Sequence, residues 1–166
     1  MALTTIDPLA LRLLMTEDLY SLKKLNIENI AINDPDPITT PVFNYLGENN
    51  KFMLILVNED VFEHIDPKNL DTLNSILLAK KMELRDVAIV NLKNHSNYNF
   101  DLLKQFFSSS SMVLFGINPA NLILNEISAN HIALVNGVRI LATFNFDEMR
   151  DDESKKRMFW NEMKNL

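Results

Sequence analysis

No cysteine occurs in the 166-residue chain, which removes thiolate nucleophiles, dithiol redox chemistry and cysteine-based zinc sites at once. Glycine is nearly as scarce, with three in all, so neither a G-x-G-x-x-G turn nor a P-loop exists to cradle nucleotide phosphates. No window reaches the roughly 18 consecutive apolar residues of a membrane span, because Lys, Asp, Glu or Asn interrupts each run. Cationic charge is also in deficit: 16 Lys and Arg stand against 22 Asp and Glu, a formal net charge of −6. Such a molecule repels phosphate backbones, and no Lys/Arg cluster is dense enough for a nucleic-acid footprint, so direct nucleic-acid binding is not expected. The opening stretch "MALTTIDPLALRLLM" lacks a basic n-region and carries Asp7 and Pro8 where a signal peptide would be apolar. Secretion is therefore not expected, and a cytoplasmic location is.

What remains is an ordinary globular composition, 47% hydrophobic and 23% charged, long enough to bury a substantial core in one domain. Leu11, Leu14, Leu19, Leu22 and Leu25 recur at helical spacing over 9–25, with a cap candidate at Thr16. Pro35, Pro37 and Pro41 then forbid helix, and the segment reads as a surface connection with short extended pieces at most. This divides the chain into an N-terminal helical segment, 1–26, and an α/β domain, 27–166.

From residue 52 the pattern alternates. "FMLILV" (52–57), "DVAIVNL" (86–92) and "MVLFG" (112–116) are continuous apolar runs, as strands buried on both faces require. Between them lie two amphipathic helices. The first starts at Asp66-Pro67, a capping carboxylate before a proline at the first helical position, and carries Leu70, Leu73, Ile76 and Leu77. The second carries Phe100, Leu103, Phe106 and Phe107. Asn118-Pro119 opens a short helix by the same device, and Asn136-Gly137 suits a type I′ hairpin turn between "HIALV" and "VRILATF". A last helix begins near Asp151 or Asp152, with acid–base pairs at i,i+4 in Asp151–Lys155, Asp152–Lys156 and Glu153–Arg157. Phe159, Trp160 and Met163 are left for packing, and Trp160 is also a candidate partner anchor. Together these elements predict a three-layer α/β/α fold with a mostly parallel sheet of four or five strands.

In such a fold, function belongs to the loops after the strands, here 58–62, 94–97, 116–119 and 145–149. Glu59 and Asp60 sit where a general base would, but neighbours on a chain point apart, and a polar strand exit that begins a turn explains them better. His64, His95 and His131 share no metal-ligand spacing. The serines at 108–111 precede a strand and lack a glycine-flanked elbow. No cofactor or metal is expected.

Three segments, in order, resemble the uracil-DNA glycosylase superfamily: "FMLILVNEDVF", "MVLFGINPANLIL" and "NGVRILATFNFDEMRDDESKKRMFWNEM". The first matches that family's strand and water-activating loop, with Asn58, Glu59 and Asp60 at the corresponding positions, but Val61 and Phe62 stand in place of proline and glycine. The third matches its last strand and Thr-aromatic-His-Pro loop, but Asn145-Phe146 replaces His-Pro. An asparagine cannot carry the charge such a histidine lends to a departing base. The resemblance thus implies the fold with a degenerate site.

The family of psi subunits of the bacterial DNA polymerase III clamp loader, a catalytically silent branch of that fold, is similar over nearly the full length. "LKKLNI", "LILVNEDVFEHIDPKNLDTL" and the Met149-Arg150 pair ten residues before Trp160 carry the similarity. It implies a non-enzymatic adaptor. The N-terminal segment would bind the clamp-loader collar, with Leu11, Leu14, Leu19 and Leu22 as candidate contacts if the first helix is peripheral; covering the sheet accounts for the same leucines equally well. The globular part would bind a chi-like subunit and, through it, single-strand-binding protein. The alternative is a glycosylase-like enzyme or degenerate DNA-repair relative, using Glu59 or Asp60 to orient water and Asn145 to contact the base.

Overall fold

A computed structural model describes residues 42–125 and 127–166. The helical segment read over 9–25 with Leu11, Leu14, Leu19 and Leu22, the boundary at 26/27, and the connection up to residue 41 lie outside the described residues.

The elements are β1 (Leu46–Gly47), β2 (Met53–Val57), α1 (Pro67–Ala79), β3 (Val87–Asn91), α2 (Phe100–Phe107), β4 (Ser111–Phe115), β5 (Ile132–Val135), β6 (Val138–Thr143), α3 (Phe146–Asp151) and α4 (Glu153–Met163), with short 3₁₀ turns at Leu84–Asp86, Leu92–Asn94 and Pro119–Leu122. The fold is α/β, as the alternation predicts. None of the described helices is long and apolar enough to cross a membrane.

The sheet differs from expectation. It has six strands in the order β1-β3-β2-β4-β6-β5 and is mixed rather than mostly parallel. β3, β2, β4 and β6 run parallel, while β1 and β5 pair antiparallel at the two edges. Both reversals come from short connections, because a parallel crossover needs a dozen or more residues. Asn136 (φ 48°) and Gly137 (φ 83°) both adopt the positive φ of a type I′ turn and fold β5 back on β6. Residues 48–52 likewise turn the chain between β1 and β2, with Asn49 (φ 57°) and Phe52 (φ 55°) left-handed. The Asn49 N–H donates to the Val87 carbonyl (3.0 Å), so β1 lands beside β3 and the strand read from Phe52 starts at Met53.

The strand interiors are buried on both faces, and alternate residues feed two separate cores. Leu54, Leu56, Ala88, Val90, Met112 and Leu114 face α2, which contributes Phe100, Leu103 and Phe107. Met53, Ile55, Val57, Ile89, Val113 and Phe115 face α1, α3 and α4, which contribute Leu73, Leu77, Phe146, Met149, Phe159 and Met163. Helix starts follow the capping residues. Asp66 Oδ1 accepts the Lys68 N–H (2.9 Å), Asn99 Oδ1 accepts Leu102 N–H (2.8 Å), and Asn118 Oδ1 accepts Ala120 N–H (3.0 Å).

The i,i+4 pairs read at the last helix do not form. Asp151 ends α3, and Asp152 is spent as the cap of α4, accepting the Ser154 and Lys155 N–H groups (2.8 and 3.3 Å). The ion pairs made instead are Glu153–Lys156 (3.4 Å) and Glu148–Lys155 (3.7 Å).

One surface carboxylate ties the β1–β2 turn to the start of β3. Asp86 Oδ2 accepts the Glu83 N–H (2.9 Å) and lies 3.0 Å from Lys51 Nζ. The Glu83 hydrogen bond first, and the Lys51 ammonium second, hold its carboxyl below the ordinary 3.8. A depressed carboxyl stabilises the fold above its unfolded value, and that contribution is lost as pH falls through the folded value. Asp86→Asn is therefore expected to lower the melting temperature at neutral pH, with the gap to the unmodified chain closing below pH 3.8. Thermal melts along an acid series check this.

Candidate functional site

The strand order reverses at β2, which has β3 on one side and β4 on the other. Ligands of open α/β sheets bind outside the carboxyl ends of the strands at such a reversal. A cavity of about 330 Å³ lies there, lined by Val57–Phe62 from the exit of β2, Asp66 and Asn69 from the start of α1, Phe115 from β4, and Asn145, Phe146 and Asp147 after β6. Asn58, Glu59, Asp60, Asn145 and Phe146, scattered over the sequence, therefore meet at one place.

Residues 145–149, read as a loop, are the first turn of α3. Asn145 is its N-cap, with Oδ1 accepting the Glu148 N–H (2.7 Å). Its backbone is also pressed against β4: a Cβ on Gly116 (φ +64°) would lie 2.7 Å from the Asn145 Cβ, so this contact requires glycine. Phe146 is 4% exposed and stacks on Phe115 with ring centroids 4.3 Å apart, inside the core shared with Phe159. The ring fills the corner with core. Asn145→Ala is expected to cost about 1 kcal/mol of stability through the lost cap, measured by urea denaturation.

Glu59 and Asp60 point apart, as adjacent residues must. Half-buried Glu59 accepts from Asn69 Nδ2 through Oε1 (2.9 Å). Asn69, 5% exposed, accepts in turn from Arg150 Nη2 (2.8 Å), and Arg150 Nη1 pairs with Asp147 Oδ1 (2.6 Å). A buried amide thus links a carboxylate on the β2 exit to a guanidinium on α3 and orients both. Asp60 turns outward to Lys93 Nζ (2.6 Å). That hydrogen bond first, and the Asp60 charge second, hold the Lys93 ammonium above its ordinary 10.5. Asn58 is exposed on the rim.

Beneath the cavity, Asn91 at the end of β3 is 1% exposed. Its Oδ1 accepts from the Glu59 and Lys93 N–H groups (3.0 and 3.2 Å), and its Nδ2 donates to the Glu59 and Phe62 carbonyls (2.9 and 2.8 Å). One side chain therefore braces the whole β2 exit.

Asn69 and Asn91 are the residues that sequence reasoning missed. Each interrupts an otherwise apolar stripe, and that interruption was the available signal. Arg150, identified only through the family resemblance, proves to be the ion that orients Asn69.

Chemically, the cavity carries the carboxylates of Glu59, Asp60, Asp66 and Asp147 and no Lys or Arg in its lining. Its field opposes a phosphate backbone. Among the described residues no group of three His, Asp or Glu side chains could hold a metal ion. The histidines sit elsewhere. His95 packs edge-on against Phe43 (5.1 Å), and His131 lies 3.8 Å from Glu162. Trp160 is half-buried at the edge of the second core and lines a groove between α1 and the α3–α4 pair. Compared with known proteins, the chain matches no family model and no curated protein.

Proposed function

We propose that the chain is a non-catalytic adaptor, similar to the psi subunit of the bacterial replicative clamp loader, acting in the cytoplasm through protein–protein contacts on a glycosylase-like α/β/α scaffold. The observation that carries this reading is the corner at 145–146. A glycosylase-like site would place a charged, mobile-proton side chain against the substrate there. Here Asn145 caps α3 and Phe146 is packed into the core. The Glu59 carboxylate is held by Asn69, the Asp60 carboxylate by Lys93, and the acidic lining disfavours nucleic acid.

The leucine-rich segment with Leu11, Leu14, Leu19 and Leu22 would supply contacts to the clamp loader, and the α/β domain would carry a chi-like subunit. Affinity purification of the full chain from its native cell, with identification of the bound proteins, tests the assignment. Recovery of clamp-loader subunits is expected. Their absence, with the tagged chain abundant and folded, would remove the assignment.

A further inference from the structure

We infer that the groove between α1 and the α3–α4 pair is a docking site for an acidic amphipathic helix of a partner protein, an inference that rests on the adaptor reading above. The groove encloses about 460 Å³ and its floor is apolar and aromatic: Ile76, Phe146, Met149, Phe159 and Trp160. Phe159 and Phe146 are core residues, whereas Trp160 is only half-buried and presents the remainder of its ring to the groove. A large amphipathic aromatic lining an apolar trough is the residue type that dominates interface energetics. Helix α1 forms one wall and the α3–α4 pair the other, which suits a further helix laid between them with anchors at i, i+3, i+4 and i+7.

Charge selects the occupant. On a chain of net charge −6, the ionisable groups lining this groove are Arg150 and Lys156, both cations. Their own partners, Asp147 and Glu153, lie off the lining. The Glu153–Lys156 pair is exposed and 3.4 Å long, the kind of contact worth about 0–1 kcal/mol, so an incoming carboxylate competes for Lys156 at little cost. Arg150 keeps further N–H donors beyond the two used on Asp147 and Asn69. A helix with an apolar stripe flanked by Asp and Glu matches both features, whereas a basic helix does not.

The test uses the full chain and a phage-displayed library of helical peptides randomised over three turns. Trp160 is the single tryptophan, so its emission reports occupancy of the groove directly. The selected peptides are expected to carry apolar residues at helical spacing with Asp or Glu beside them, and to shift Trp160 fluorescence saturably. Two exposed positions, changed without touching the core, locate the site. Ala79→Glu, which adds a carboxylate to the α1 wall, is expected to weaken the selected peptides at least tenfold, and Lys156→Glu about fivefold, with unchanged circular dichroism.

Failure to enrich any peptide, enrichment of basic peptides, or binding indifferent to Ala79→Glu would overturn the inference. So would concentration-dependent self-association that shifts Trp160 emission, since a second copy would then be the occupant. If selection fails while clamp-loader subunits are still recovered from the cell, the docking site falls and the adaptor assignment stands. If acidic helices bind but no clamp-loader subunit is recovered, the reverse holds.

Discussion

Replacing Phe146 with alanine is expected to lower the free energy of unfolding by about 3–5 kcal/mol, the range for truncating a buried aromatic. The size follows from what the ring touches. Phe146 is buried, stacks on Phe115 at 4.3 Å and 21°, and through Phe115 joins Phe159 at 5.5 Å. It borders both the cavity at the strand ends and the groove beside Trp160, so removing it enlarges two spaces and leaves neither able to collapse fully. The contrast with a functional role is sharp. A side chain kept for substrate contact stands in an open pocket, and its loss leaves stability nearly unchanged. Urea denaturation of both proteins, compared at equal m-value, measures the difference.

The second large effect is expected at Asn91. Asn91→Leu conserves volume but removes four hydrogen bonds, leaving the Glu59 N–H and carbonyl, the Phe62 carbonyl and the Lys93 N–H without their partner. Unsatisfied groups of this kind cost about 1–3 kcal/mol each when buried, less where water can reach them, so a loss of about 3 kcal/mol is expected for the set. The damage is local to the β2 exit. Amide hydrogen exchange at Glu59 and Lys93 is expected to accelerate, while the amides of β2 and β4 stay slow. Uniform acceleration along the sheet would mean that Asn91 supports the global fold rather than this corner.

Both effects lie in residues whose roles sequence could show only partly. The central strands were legible because four or five consecutive apolar residues fit only an element buried on two faces. Helix starts were legible where a capping side chain preceded proline, at Asp66-Pro67 and Asn118-Pro119, and the hairpin at Asn136-Gly137 where two positive φ angles were needed. β1 is two residues long, shorter than any period, and its place beside β3 depends on a turn with non-glycine residues at positive φ. The antiparallel edge at β1 is illegible in the sequence for the same reason, whereas the antiparallel edge at β5 follows from the Asn136-Gly137 hairpin.

The candidate site shows a different limit. Proximity of 58–60 to 145–146 followed correctly from the order of strands, because loops after parallel strands gather at one edge. The direction of each side chain did not. Asn145 with Asp147 and Glu148 behind it is the pattern of a helix start, a capping side chain followed by acids in the first turn, masked by its place after a strand, where a loop is the usual element. With α3 in place, Asp151 and Asp152 fall outside α4, which removes two of the expected i,i+4 pairs, and within α4 Glu153 turns to Lys156 instead of Arg157. The buried amides of Asn69 and Asn91 acquire partners only when α1, β3, α3 and the β2 exit come together, and no local pattern encodes that.

The central claim is that this corner of the fold holds structure together and performs no base excision. Single-turnover incubation of excess protein with uracil-containing single- and double-stranded DNA tests it most directly. The account predicts no base release above the protein-free background for the unmodified chain, Asp60→Ala or Asn145→Ala; release by the unmodified chain that either substitution abolishes would contradict it.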